Sequence, residues 1–192
     1  IIVATQIMAK GYDFPNLSLV GIVDADSGLF GGDPRAIEKT FNLLQQVGGR
    51  AGRGKKLGKV LLQTYFPDQQ IIKSIQFRER EKFIEHALEE RKNFNIPPFG
   101  FMTSIIISSH TKTLASKIGS QLVKLGNNDE NIKILGPVEA PISLLRGQYR
   151  FRILIKGNNR KNINKLTKKI VQNAKLPSSV KLIIDVDPYS FM

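Results

Sequence analysis

Apolar positions change their spacing several times along the chain, and each change marks an element. Ile1-Ile2-Val3-Ala4 predicts a buried strand that turns through Thr5 and Gln6. Leu17-Ser-Leu-Val-Gly-Ile-Val23 predicts a second strand ending at Asp24. A Gly- and Pro-containing loop follows, with Gly28, Gly31, Gly32 and Pro34. From Arg35 the spacing becomes helical, with Ile37, Phe41 and Leu44 on one face, until glycines at 48, 49, 52 and 54 end it. Lys59 to Tyr65 predicts a third strand. Strands without period-two alternation, separated by a helix, fit a parallel sheet covered on both faces. The first strand begins at residue 1, so the sheet is expected to continue in sequence upstream of this chain.

Pro67 to Asn95 reads as helical. Ile71, Ile72 and Ile75, then Phe83, Ile84, Ala87 and Leu88, form the apolar stripes, and Ile96-Pro97-Pro98-Phe99-Gly100 stops the pattern. Beyond it the order is a strand at 102–109, a helix at 111–125, strands at 132–136 and 149–156, a helix at 161–175 and a strand at 180–186. That is β-α-β-β-α-β, the ferredoxin-like order, a fold that hosts many unrelated functions. The expected organisation is therefore an α/β chain in three parts: 1–66 in a partial parallel-sheet lobe, 67–95 as a helical connector, and 96–192 as a C-terminal domain.

Composition narrows the function classes. The chain has 192 residues and no Cys, which excludes a disulfide, a thiolate zinc site or an iron–sulfur cluster within it. The two His residues, His86 and His110, are far apart, and no metal site is expected. No apolar run approaches the ~18 residues of a membrane span. Ile1 in place of Met, with no leader pattern after it, suggests a fragment. Twenty-nine Lys and Arg against 16 Asp and Glu give a net charge of +13, which points to a polyanionic partner. The excess sits late: from Ala140 to Ile184 there are 11 basic residues and no acidic one.

Candidate chemistry falls in four places. At the end of the first helix stands Gln46-Val-Gly-Gly49-Arg50-Ala-Gly52-Arg53. Two guanidinium forks held by glycines suit a transferring phosphoryl group; equally, they suit the negative end of a helix dipole. The turn after the first strand carries Thr5, Gln6, Lys10, Gly11 and Asp13. It lies where open α/β sheets bind ligands, and its hydroxyl and amide suit a sugar–phosphate backbone; the plain alternative is a solvated polar turn. Along 146–156, Arg146, Arg150, Arg152 and Lys156 fall on the even side of an alternating strand whose odd side is apolar. That stripe is either a phosphate-binding face or a solvated edge. Asp185 and Asp187 read as an ordinary strand end.

Taken together, ThrGlnIleMetAlaLysGlyTyrAspPhePro (5–15) and GlnGlnValGlyGlyArgAlaGlyArg (45–53) resemble motifs V and VI of superfamily-two helicases, in the second of their RecA-like lobes. With ValAspAlaAspSerGlyLeuPhe (23–30), IleProProPheGly (96–100), LeuGlyProValGluAlaProIle (135–142), LeuArgGlyGlnTyrArgPhe (145–151) and IleAspValAspPro (184–188), the whole chain resembles the PriA family of bacterial primosomal replication-restart helicases. Tyr12 stands where His is common and Gly48 where Ala is common.

The resemblance implies a 3′-to-5′ ATP-dependent DNA helicase acting at stalled forks, of cytoplasmic, nucleoid-associated location. Arg50 and Arg53 would reach the ATP γ-phosphate, with Gln46 and Gly49 shaping the turn. Gly11 and Asp13, flanked by Gln6 and Lys10, would couple nucleotide to DNA, and Thr5 would touch the strand. ATP and Mg2+ would need a first lobe whose GxxxxGK[ST] loop and Asp-Glu pair are not in this sequence, and the family's zinc-binding cysteines also lie outside it. Expected partners are forked DNA, other primosome proteins and single-stranded-DNA-binding protein, whose acidic tail would meet Arg160 and Asn164. The competing expectation is a non-catalytic basic module that binds RNA or the ribosome.

Overall fold

The computed structural model describes residues 1–5, 14, 16–29, 35–51, 58–126 and 131–190. The chain is mixed α/β and forms two compact units, Ile1–Ala87 and Leu88–Met192.

In the first unit, β1 (Leu19–Ile22) and β2 (Lys59–Leu62) pair in parallel, with Ile22 beside Leu62. Between them in sequence runs α1 (Ala36–Gly48), followed by α2 (Gln70–Gln76) and α3 (Arg80–Asn93), whose last turns belong to the second unit. Phe41 and Leu44 of α1, Ile71 and Ile72 of α2 and Phe83 of α3 make one core with Ala25 and Leu29. The rings of Phe41 and Phe83 stack 3.9 Å apart, 6° from parallel. The helices predicted as a connector thus share their core with the predicted lobe.

Two expectations for this unit do not hold. Residues 1–5 form no strand, and Ile1, Ile2 and Val3 are exposed. Apolarity favours burial, but a strand also needs a neighbouring backbone to bond. The parallel pair is also not covered on both faces by described residues: Ile22 and Leu62 lean on the core, whereas Leu19 and Leu61, on the other face, are exposed.

The second unit runs β3 (Phe101–Ser109), α4 (Lys112–Gly126), β4 (Ile132–Leu145), β5 (Gln148–Gly157), α5 (Arg160–Asn173) and β6 (Val180–Val186). The four strands lie in the order β4-β5-β3-β6, and each neighbouring pair is antiparallel. Ile105 and Ile107 of β3, Ile153 and Ile155 of β5, Ile118 and Leu122 of α4, and Ile163 and Ile170 of α5 form the core. Both helices therefore pack on the odd-residue face of the sheet. β4 runs past Gly136, where prediction ended it, to Leu145, with register shifts between Leu135 and Val138 and between Glu139 and Leu144. Gly136 has φ +105°, and a Cβ there would come within 2.7 Å of the Arg152 carbonyl oxygen, so the first shift depends on glycine.

Candidate nucleotide and nucleic-acid surfaces

Parallel pairing brings the carboxyl ends of β1 and β2 together, and the polar residues that follow them interlock. Gln63 N donates to Ile22 O at 2.9 Å, and Ala25 N donates to Gln63 O at 3.1 Å. Asp24 Oδ1 accepts from the amides of Asp26 and Ser27, each at 3.0 Å. Asp26 is buried, and its two oxygens accept from Thr64 Oγ1 at 2.5 Å and Tyr65 N at 2.7 Å. Asp26 has no expected role from the 23–30 run alone. The available signal was an Asp-x-Asp-Ser run directly after an apolar strand, where short side chains bond local backbone.

α1 anchors its inner side with Phe41 and Leu44 and ends at Gly49, whose N–H donates to Gln45 O at 2.9 Å. Arg50 N donates to Val47 O at 3.1 Å, so the last turn tightens before the arginine. Gln46 and Gly49 are exposed and Arg50 is half-buried. Arg53 lies outside the described residues. Of the turn after residue 4, Thr5 is described and exposed, while Gln6, Lys10, Gly11 and Asp13 lie outside the described residues.

In the second unit the even-residue stripe of β5 is discontinuous. Arg146 is exposed at the tip of the β4–β5 hairpin, where Arg146 and Gly147 both have positive φ, at 51° and 75°. Arg150 is half-buried. Arg152, at 6% exposure, is buried. Lys156 Nζ donates to Phe94 O at 2.9 Å. The alternation is right, yet the middle of that face is buried: Ile106, opposite Arg152 on β3, and its neighbours Ser104 and Ser108 are buried too. Arg152 is thus a buried residue and not part of an exposed basic face.

Arg160 is engaged within the unit. Its Nη2 lies 2.6 Å from Asp187 Oδ2, and its guanidinium carbon sits 4.9 Å from the centre of the Phe101 ring. Asn159 caps α5, its Oδ1 accepting from Lys161 N at 2.9 Å and Asn162 N at 3.3 Å. Asn164 is exposed one turn beyond Arg160. On the neighbouring helix Lys112 Nζ meets Glu139 Oε1 at 2.6 Å, and hydrogen bonding and charge from Glu139 raise the lysine's pKa. No group of three or more His, Cys, Asp or Glu gathers as a metal cluster among the described residues.

The sequence profile of the family described as Primosomal protein N C-terminal domain matches residues 92–189. This chain belongs to that family. Curated relatives extend the likeness over both units. It is 44% identical over 191 residues to "Replication restart protein PriA" of Rickettsia conorii, across 100% of this chain and 29% of the relative. It is 36% identical over 197 residues to the protein of that name from Bacillus subtilis, across 100% of this chain and 24% of the relative. With that of Haemophilus influenzae the identity is 38% over 192 residues, across 98% and 26%. The chain spans less than a third of the length of these curated relatives. No helix among the described residues is long and apolar enough to cross a membrane.

Proposed function

We propose that this chain is the C-terminal part of a replication-restart helicase of the PriA kind, which unwinds DNA 3′ to 5′ at stalled forks and rebuilds the primosome. The observation that carries the reading is the likeness to proteins named for replication restart, which spans the whole chain and so covers the arginine cluster after α1 as well as the C-terminal unit. The parallel β1–β2 pair and α1 are read as the remainder of a RecA-like lobe. The β3-α4-β4-β5-α5-β6 unit is read as a ferredoxin-like domain.

In this reading Arg50 and Arg53 stabilise charge on the transferring γ-phosphoryl, and Gln46 and Gly49 set the turn that presents them. The motif after residue 4, from Thr5 and Gln6 through Lys10, Gly11 and Asp13, links nucleotide state to the DNA track. ATP and Mg2+ are held mainly by a first lobe elsewhere in the full-length protein. Zinc in this family would be held by cysteines outside this chain, which has no Cys. The C-terminal unit takes DNA and partner proteins. A partner's terminal carboxylate at Arg160 and Asn164 would exchange with Asp187, which holds that guanidinium in the structure.

The deciding experiment is DNA-stimulated ATP turnover. The 192-residue chain alone is expected to turn over no ATP. In the full-length protein, Arg53→Ala is expected to lower turnover by ~10³-fold or more, and Arg50→Ala to lower it strongly too. Near-normal turnover in both variants overturns the finger role, and a full-length protein that shows no DNA-stimulated turnover at all favours the reading as a non-catalytic nucleic-acid-binding module.

A further inference from the structure

The strand stripe singled out from sequence is broken, yet the same unit carries an intact basic surface on its other side. α4 and α5 lie against one face of the sheet, with Ala115, Ile118, Leu122, Ile163, Leu166 and Ile170 turned into the shared core. Their outward positions include Lys117 and Lys124 on α4 and Lys161, Lys165, Lys168 and Lys169 on α5, all exposed. Neither helix contains an acidic residue. Lys112 is neutralised by Glu139, whereas none of these six makes an ion pair with a described residue. Lys161, Lys165 and Lys168 follow one another at about one helical turn, ~5.4 Å each along the axis.

We propose that the outer face of the α4–α5 layer binds the phosphate backbone of duplex DNA, without reading its sequence. The proposal rests on the reading of this unit as a nucleic-acid binder. The residues between the lysines choose among polyanions. They are Thr113, Ser120, Gln121, Asn162, Asn164, Gln172 and Asn173, side chains that hydrogen-bond phosphate and sugar oxygens. An anionic membrane surface would call for large apolar side chains to enter the lipid, and on these outer faces only Leu125, at the end of α4, is an exposed apolar residue among those described. A single strand would call for aromatic platforms on which bases stack, and neither helix contains Phe, Tyr or Trp. What remains is a double-stranded backbone held by charge and hydroxyl or amide hydrogen bonds.

The test uses the whole 192-residue chain, with a blunt 20-base-pair duplex, the single strand of the same sequence, and phosphatidylserine vesicles as probes. Two variants are compared, each checked by circular dichroism: Lys117→Glu with Lys165→Glu and Lys168→Glu, and Arg146→Glu with Arg150→Glu. The helix-layer variant is expected to lose at least tenfold in duplex affinity. The slope of its log affinity against log salt is expected to flatten by about 0.9 for each lost phosphate contact. If it binds duplex with the affinity and slope of the unaltered chain while the Arg146 and Arg150 variant loses binding, the helical surface is wrong and the nucleic-acid reading stands. If the unaltered chain binds the vesicles and neither DNA, both are wrong.

Discussion

Asp26 ties the carboxyl ends of the two parallel strands together, taking a hydrogen bond from Thr64 Oγ1 at 2.5 Å across 38 residues of sequence. Its second oxygen takes the Tyr65 amide at 2.7 Å. Three polar groups thus satisfy one another where the chain leaves the sheet, and the carboxylate, at 8% exposure, has little water to replace them.

Asp26→Ala is therefore expected to destabilise the first unit by about 1–3 kcal/mol, the usual cost of orphaning buried hydrogen-bonding groups. Asp24→Ala, at an exposed position, is expected to cost less. Urea denaturation of the two variants beside the unaltered chain checks the order, and equal midpoints would contradict it.

The buried arginine gives the opposite kind of prediction from the one its sequence position suggests. Arg152→Glu is expected to lower stability by about 3 kcal/mol or more, because it reverses a charge at a position with almost no solvent. Arg150→Glu, half-buried on the same strand, is expected to change the melting temperature little. A scan in which the two variants melt together would place Arg152 at the surface.

Gly119 sits inside α4 against Pro137, and an added Cβ would come 2.7 Å from the proline Cβ. The proline ring cannot rotate away, so Gly119→Ala is expected to destabilise the second unit by about 1–3 kcal/mol despite the better helix propensity of alanine. Ser120→Ala, next in the helix and exposed, is the comparison. Chemical denaturation distinguishes packing from propensity, since propensity alone would make Gly119→Ala the more stable protein.

Lys112 binds its proton more tightly in the folded chain because Glu139 accepts a hydrogen bond from it and lies beside it as a charge. A raised lysine pKa adds stability below the ordinary 10.5, and that contribution is lost as pH rises through the higher folded value. Stability traced to this lysine is therefore constant well below 10.5 and declines only in strong alkali. Glu139→Gln is expected to bring the lysine back toward its ordinary value, read from an NMR titration of the Lys112 side chain. An unmoved titration curve would assign the shift elsewhere.

How far these features were legible differs from element to element. β6 stands at Val180–Val186 as predicted, because its run of large apolar residues is bounded on both sides. β4 was cut short at Gly136 because Gly-Pro reads as a stop. In the sheet β4 is an edge strand, where Pro137 and Pro141 remove no ladder bond that a second neighbour needs, and two register shifts carry it on. Alternation placed Arg152 on the correct side of β5, but period two gives a face and not a depth. Depth shows only in the fold, where Ile106, opposite Arg152 on β3, is buried on the same face. Ile1 to Ala4 failed for the converse reason, since composition says what could be buried and nothing about what stands beside it. Of the candidate site, the end of α1 was legible through its glycines, and the Asp26–Thr64 link was not, because a pair 38 residues apart leaves no local period.

The adjacency of β3 and β6 has a mechanical consequence. The second unit's sheet begins at Phe101 and ends at Val186, and Thr103 lies directly opposite Val186, so the entering and leaving ends share one corner. Tension pulling those ends apart would load the ladder one bond at a time, as a zip, and not all bonds together in shear. The first to carry the force are the two between Met102 and Asp187, from Met102 N to Asp187 Oδ1 at 3.1 Å and from Asp187 N to Met102 O at 2.8 Å. With Arg160 braced against the same carboxylate, that corner acts as the catch of the zip, the set of bonds that must give before the ladder begins to open.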